Sequence, residues 1–503
     1  MEEDITKAKA IHEEAISTLV GLSDEEKAIE RRVVRRVDML ILPLVVLVYL
    51  MNYIDRNNYS AARLQGLESD LNLVGEQYQT GLSIFFVSYI LGQLPSNLML
   101  NYFGRPSLYL GLFVCAWGSV AACTAAVQSY GGIMACRFIL GIVESPFFSG
   151  VLFYLSKWYT RSEINLRMAI FYSGGLLSGA FGNLIAAGIL NGLAGRYGLA
   201  AWRWLYIIEG GITVFVGLLV VLFLPDFPHT WRLLSPEEKN VAIRRLALEA
   251  TESDIDDAKG KSQLHGLQLA VTDIKTWILA AGYTALTGAA GFQNFFPTLT
   301  ATLGYSHTIS LLLVAPPYIF MTLWSYGHGW LADKYNQRFW FYMYPIPLTI
   351  IGFVVFMTTD SFGPRYFSFF LVIFVFATNV TTFTWIASSI GQPPAKRAAA
   401  FAIINALGTS TSIWTPYTYT LSGTPYYRLA FGICLGLQVV TGLMGLALRW
   451  VLVRENQRLA RLEESDEAEL SEADMERLEK AARDQGVDVQ TARVLQRGFR
   501  YVI

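Results

Sequence analysis

The sequence predicts an all-α polytopic membrane protein, with twelve transmembrane helices in two six-helix halves. Three observations carry that prediction. The chain has 503 residues, 53% hydrophobic and only 16% charged, whereas a soluble domain carries about a quarter charged residues. The charges concentrate at the two ends and in one central stretch. Between them lie runs of about 20 mainly apolar residues, each long enough to cross a hydrocarbon core roughly 30 Å thick as a helix.

Taken in order, residues 1–37 are polar and helical in pattern. They read as a cytosolic N-terminal segment with no cleavable secretory signal, so the first span is retained. An N-terminal bundle, 38–225, holds spans at 38–63, 77–101, 107–127, 131–155, 167–190 and 202–224. A central cytosolic loop, 226–274, contains "SPEEKNVAIRRLALEA", an amphipathic helix capped by Ser235 with acids in its first turn. The C-terminal bundle, 275–453, holds spans at 275–299, 309–331, 338–358, 365–390, 398–419 and 429–452. In the tail, 454–503, apolar residues are thin, which reads as a solvated cytosolic helix.

Orientation follows from the basic residues of the short loops. Arg31, Arg32, Arg35 and Arg36 precede span one, and Arg105, Lys157, Arg161, Lys334, Lys396, Arg397, Arg449, Arg454 and Arg458 continue on the same side. The opposite loops hold little beyond Arg196, Arg365 and Arg428. Both termini are therefore expected in the cytosol. A net charge of −1 excludes a strongly basic nucleic-acid surface. Cys115, Cys123, Cys136 and Cys434 all fall in apolar runs and read as buried small hydrophobes, with neither disulfide nor metal-ligand spacing. No nucleophile triad, metal cluster or phosphate loop points to an enzyme.

The halves share a repeated motif. After span eight stands "GWLADKYNQR", with Gly329, Asp333 and Arg338; after span two stands "NLMLNYFGRP", with Asn101, Gly104 and Arg105. The short turn needs small residues, and an acid there can cap a helix end and pair with nearby bases. Breaking and reforming such contacts would gate a pair of bundles that rock about a central site.

Span one ends in "YLMNYIDRNNYSAAR", which sets Asp55 beside Arg56. At 1.5 Å per residue Asp55 stands roughly 25 Å above the start of the span, still in the outer part of the core. The helix has left the membrane there, or the pair is structural glue, or it handles a substrate. Span four carries Arg137 and Glu144, two turns apart on one face. An unpaired charge in a bilayer costs at least about 2.5 kcal/mol, so these two acids and two bases are expected to surround one polar cavity. Successive helical residues diverge by about 100°, so one of Asp55 and Arg56 is expected on the substrate path and the other against a neighbouring helix. Tyr53, Tyr89, Gln93, Ser388 and Asn405 are further candidates for the cavity, although helix–helix hydrogen bonding explains each equally well. Glu209 in "WRWLYIIEGG" reads as packing or capping at least as well as transport.

These residues carry a resemblance. "GWLADKYNQR" fits the loop motif of the major facilitator superfamily. "NYIDRNN", "RFILGIVESPFFSGVLFYLSKWY", "WRWLYIIEGG", "LPDFPHTWRLLSPEEKNVAIRRL" and "NFFPTLTATLGYS" are together similar to its anion:cation symporter family, over residues 38–453. "PPAKRAAAFAIINALG" resembles the fungal branch of allantoate, nicotinate and pantothenate permeases. The resemblance implies the major facilitator fold and proton-coupled uptake of a small organic anion, a carboxylate nutrient or vitamin, by alternating access. It implies a monomer in the plasma membrane, with the proton gradient as driving force and no cofactor. It places Asp55, Arg56, Arg137 and Glu144 in the binding and coupling centre, with Tyr53, Tyr89 and Asn405 lining the cavity. Leu176 stands where bacterial sugar-acid members carry a polar residue, which disfavours a polyhydroxylated substrate. Export of a secondary metabolite is the alternative, though span five lacks the Gly-Pro pair usual in drug antiporters. A non-transporting nutrient sensor would want a longer tail.

Overall fold

The computed structural model describes residues 23–231, 233–257, 263–390, 394–420, 423–464, 475, 479 and 500–502. These residues form helices and no strand. Nine helical stretches among them are long and apolar enough to cross a membrane. Helices also cover the other three expected spans, the second, seventh and eleventh.

Helix α1 (Asp24–Leu64) starts well before the apolar run, so the expected boundary at 38 lies inside one continuous helix. Its start is fixed by a capping box, in which Ser23 N–H donates to Glu26 and Glu26 N–H donates to Ser23 Oγ. It also runs on past Asp55 and Arg56 to Leu64, so the pair lies within the helix. There follow α2 (Gln77–Phe103), α3 (Pro106–Thr124), α4 (Tyr130–Ser156), α5 (Arg161–Leu193) and α6 (Ala201–Phe223). Pro106 opens α3 at a position whose N–H would be unpaired anyway. The central segment forms α7 (Pro236–Asp257) and α8 (Gln263–Thr272).

Spans seven to ten are interrupted, which the apolar runs did not show. The seventh is α9 (Ile274–Ala289), a 3₁₀ stretch (Ala290–Phe295) and α10 (Phe296–Ala301). The eighth is α11 (His307–Leu312) and α12 (Ala315–Tyr335), the ninth α13 (Phe339–Met343) and α14 (Pro345–Thr358). The tenth is α15 (Phe362–Val372) and α16 (Val375–Ser389); α17 (Pro394–Trp414) and α18 (Arg428–Glu464) complete the chain. Pro297, Pro316 and Pro345 stand in the first turns after three of the breaks, where a missing N–H costs least.

Small residues draw the helices together, as expected where lipid offers no hydrophobic drive between them. A Cβ on Gly118 of α3 would lie 2.8 Å from Val214 N, and one on Gly210 of α6 would lie 2.6 Å from Ala122 N. The α3 and α6 backbones are therefore in contact. In the same way a Cβ on Gly141 of α4 would sit 2.3 Å from Phe85 O of α2. Of the cysteines only Cys434 is buried; Cys115 and Cys136 are half-buried and Cys123 is exposed. That corrects the expectation of four buried thiols: an apolar run fixes depth in the membrane but not which face of the helix meets lipid.

One face of the bundle holds the start of α1, the central helices and the end of α18. There Arg245 of α7, itself buried, bridges Glu30 of α1 and Glu163 at the α5 start, 3.4 and 3.0 Å away. Arg167 of α5 pairs with Asp38 at 2.7 Å. Asp273, the cap of α9, accepts from Lys275 N at 2.9 Å and pairs with Lys396 at 2.7 Å. At the opposite, far end the halves close on each other. Ser83 Oγ donates to Ile413 O at 2.6 Å, Gln79 Nε2 to Tyr419 O at 3.3 Å, and Tyr417 OH to Thr80 Oγ1 at 3.2 Å. Tyr78 packs edge-on against Phe295 beside them.

Candidate functional site

Asp55 and Arg56 leave α1 in different directions, as their angular separation requires. Arg56 points toward α2 and α4. Its Nε donates to the carboxylate of Glu144, and its side chain is 17% exposed while that of Glu144 is fully buried. Three aromatic rings surround the guanidinium, Tyr89 at 4.6 Å, Tyr53 at 5.4 Å and Phe85 at 5.5 Å. Ring faces attract a cation, so the cage holds Arg56 in place without neutralising it. The second Glu144 oxygen, Oε2, is buried with no hydrogen-bond partner.

Asp55 points the other way, into the α3–α6 contact. Trp117 Nε1 of α3 and Thr213 Oγ1 of α6 both donate to its Oδ2, at 3.1 and 3.0 Å. Asn58, one turn on, donates to Oδ1 at 3.4 Å. Asp55 is buried and makes no ion pair among the described residues. Its contacts are those of a carboxylate held by neutral donors, which ties three helices together at one point.

Arg137 has a third setting. It is buried, donates from Nε to Gly81 O of α2 at 3.1 Å, and lies over the rings of Tyr59 and Phe85 at 4.6 and 4.7 Å. The Phe85 ring thus neighbours the guanidiniums of both Arg137 and Arg56. Of the four expected charges only Arg56 and Glu144 are in direct ion-pair contact among the described residues, while Asp55 and Arg137 make their hydrogen bonds with neutral groups. The seven-residue spacing does put Arg137 and Glu144 on one face of α4, although their direct polar partners differ, Gly81 O for Arg137 and Arg56 for Glu144.

The remaining candidates are dispersed. Tyr53 is half-buried beside Arg56 and accepts from Tyr49 OH at 3.4 Å; Tyr89 is buried. Gln93 and Asn405 are half-buried on α2 and α17, and Ser388 donates to Trp385 O at 3.1 Å within α16. Gly104 ends α2 with φ +64°, a left-handed conformation that suits glycine, and Arg105 precedes α3 in the exposed turn. Gly329 lies within α12 with open space around it, and Arg338 begins α13. The side chains of Asn101, Asp333 and Leu176 lie outside the described residues.

Sequence reasoning missed Phe85, Gly81, Trp117 and Thr213. Asn58 was within reach, being one turn from Asp55 on the same helix face. The others carry no local signal, because their roles come from helix pairings. Tyr172 of α5 and Phe383 of α16 also stack across the two halves, with centroids 6.0 Å apart.

Residues 45–416 match the family model described as Major Facilitator Superfamily. The chain belongs to the major facilitator superfamily. It is a transporter rather than an enzyme. The chain is 34% identical to the MFS-type transporter cnsO of Penicillium expansum over 449 residues, covering 86% of this chain and 85% of that one. It is 31% identical to the major facilitator-type transporter hxnP of Emericella nidulans over 369 residues, 70% of this chain and 73% of the other. Among solved structures it resembles a D-xylose-proton symporter with TM-score 0.63, at 15% identity and covering 82% of this chain and 97% of that one. That likeness establishes the fold: two bundles of a membrane carrier about a central path.

Proposed function

We propose that the chain is a proton-coupled carrier that takes up a small organic anion by alternating access. The observation that carries this reading is the Arg56–Glu144 pair, one base partly open to the interior and one acid buried behind it, within an aromatic cage. A proton arriving on Glu144 cancels its hold on Arg56. The freed guanidinium can then take a substrate carboxylate through a two-pronged, charge-assisted contact. When the proton leaves, Glu144 recaptures Arg56 and displaces the anion. One proton and one negative charge therefore move together. Tyr53, Tyr89 and the Tyr172–Phe383 stack offer flat apolar walls, which favours a planar carboxylate nutrient or vitamin over a polyhydroxylated one. The far-end contacts hold the two halves together on that side, so the proposed alternating access requires them to break for exchange there. Placing the face that bears the central helices in the cytosol follows the basic loops, and the plasma membrane and a monomeric state follow the family resemblance.

The test is uptake by a host lacking its own permeases, screened against nicotinate, pantothenate, ureides and dicarboxylates. Arg56→Gln is expected to abolish saturable uptake at normal surface expression. Glu144→Gln should retain anion exchange that no longer responds to a pH gradient. Saturable uptake in Arg56→Gln at the wild-type rate would sink the anion assignment, and outward-only transport would make the chain an exporter.

A further inference from the structure

A second pair of buried carboxylates lies behind α1, away from the Arg56 cage. Helices α1 and α6 run antiparallel, and Thr213 of α6 donates to Asp55 of α1. One turn toward the far end therefore advances to Asn58 on α1 and returns to Glu209 on α6. Glu209 is 1% exposed, and neither of its carboxylate oxygens has a hydrogen-bond partner. Asp55 and Asn58 are the α1 groups that face it.

The surroundings contain little to balance two negative charges. From α1 come Asp55, Asn58 and Tyr59, and from α6 itself Tyr206 and Thr213. Helix α3 contributes Trp117, whose N–H is already given to Asp55. Helix α4 contributes Arg137, which is turned onto Gly81 O and the Tyr59 ring. Helix α5 has no ionisable residue between Tyr172 and its end at Leu193. Neither Asp55 nor Glu209 makes an ion pair among the described residues, yet the two are neighbours in a medium of low dielectric. Two adjacent carboxylates so placed share a proton rather than both ionising. Asp55 accepts three donors, which favour its charged form, whereas Glu209 has only the Asn58 amide beside it, at no well-formed hydrogen-bond geometry.

We propose that Asp55, Asn58 and Glu209 form a proton-binding site behind α1, in which the shared proton rests on Glu209 in this conformation. The Asn58 amide lies between the acids and can donate to whichever one is charged, so the proton and the hydrogen bond exchange places across it. The site lies on the opposite side of α1 from Arg56. It does not depend on the anion reading, because proton occupancy here requires no substrate.

The test is infrared spectroscopy of the full chain in lipid nanodiscs, without ligand. At neutral pH the wild type is expected to show the carbonyl stretch of a protonated carboxylic acid, shifted in D₂O. Glu209→Gln should remove that band and Glu144→Gln should leave it. A band absent from the wild type, or unaffected by Glu209→Gln, overturns the proposal. Asp55→Asn provides the second reading should Glu209→Gln fail to fold. Removing the neighbouring charge eases ionisation of Glu209, so the band should titrate away at a lower pH than in the wild type. An unchanged midpoint would show that the two carboxylates do not share a proton. Failure of the uptake tests above with these bands intact would refute the anion reading alone.

Discussion

The far-end closure makes a quantitative prediction about the balance of open and closed states. Ser83 Oγ lies 2.6 Å from Ile413 O across the halves and 3.0 Å from Gln79 O within its own helix. Ser83→Ala removes the first contact and leaves the helix its backbone bonds. A net hydrogen bond is worth about 1 kcal/mol, which is roughly a fivefold shift in a two-state ratio. Adding Gln79→Ala, which removes the bond to Tyr419 O, raises the shift toward about 2 kcal/mol, or roughly thirtyfold, less any coupling between residues one turn apart. The assay is the rate at which a membrane-impermeant thiol reagent, applied from the far side, labels Tyr53→Cys in a background without the four native cysteines. Tyr53 is half-buried on the interior wall, so it reports opening of that end. Labelling should accelerate about fivefold in Ser83→Ala. Ser60→Ala is the control, since among the described residues Ser60 donates only to Asn57 O on its own helix, and its rate should match the wild type. An unchanged or slower rate in Ser83→Ala, with a normal unfolding midpoint, refutes the idea that these bonds hold the far end shut.

Two further outcomes test the packing and the rim. Gly210→Ala forces a Cβ to 2.6 Å from Ala122 N, so stability in detergent should fall by about 1–3 kcal/mol, whereas Gly188→Ala meets nothing within 4 Å and should be neutral or slightly stabilising; equal unfolding midpoints for the two would discount the α3–α6 contact. Burial alone would raise the Asp273 carboxyl, but Lys275 and Lys396 outweigh it and hold the group below its ordinary value. A depressed acid stabilises the fold above its unfolded value of about 3.9 and loses that contribution as pH falls through the folded value. Wild type should therefore lose stability more steeply below about pH 4 than Asp273→Asn does, and parallel thermal-melt profiles would contradict that.

How much of this was legible depends on which distances a sequence contains. Along one helix they are fixed, so the divergence of Asp55 from Arg56 and the common face of Arg137 and Glu144 follow from the numbering. Between helices they depend on register, and register was the missing quantity. Part of it was nevertheless written in the chain. Gly111 and Gly118 are seven apart on α3, and Gly210 and Gly217 are seven apart on α6, two turns in each case and hence two glycine stripes. Run antiparallel, Gly111 meets Gly217 and Gly118 meets Gly210. That pairing places Thr213 of α6 level with Trp117 of α3, and Asp55 fills the gap between them. The breaks in spans seven to ten were less accessible, because proline marks where a helix can fail but not whether neighbours will bridge the failure. The divided setting of the dipeptide then has a mechanical consequence. Asp55 fastens α1 to α3 and α6 through neutral donors, while Arg56 fastens it to α4 through a charge that protonation of Glu144 would release. A change of charge on either flank alters what holds α1 on that side alone, so under the proposed proton coupling α1 is the element of this half that would turn proton binding into movement.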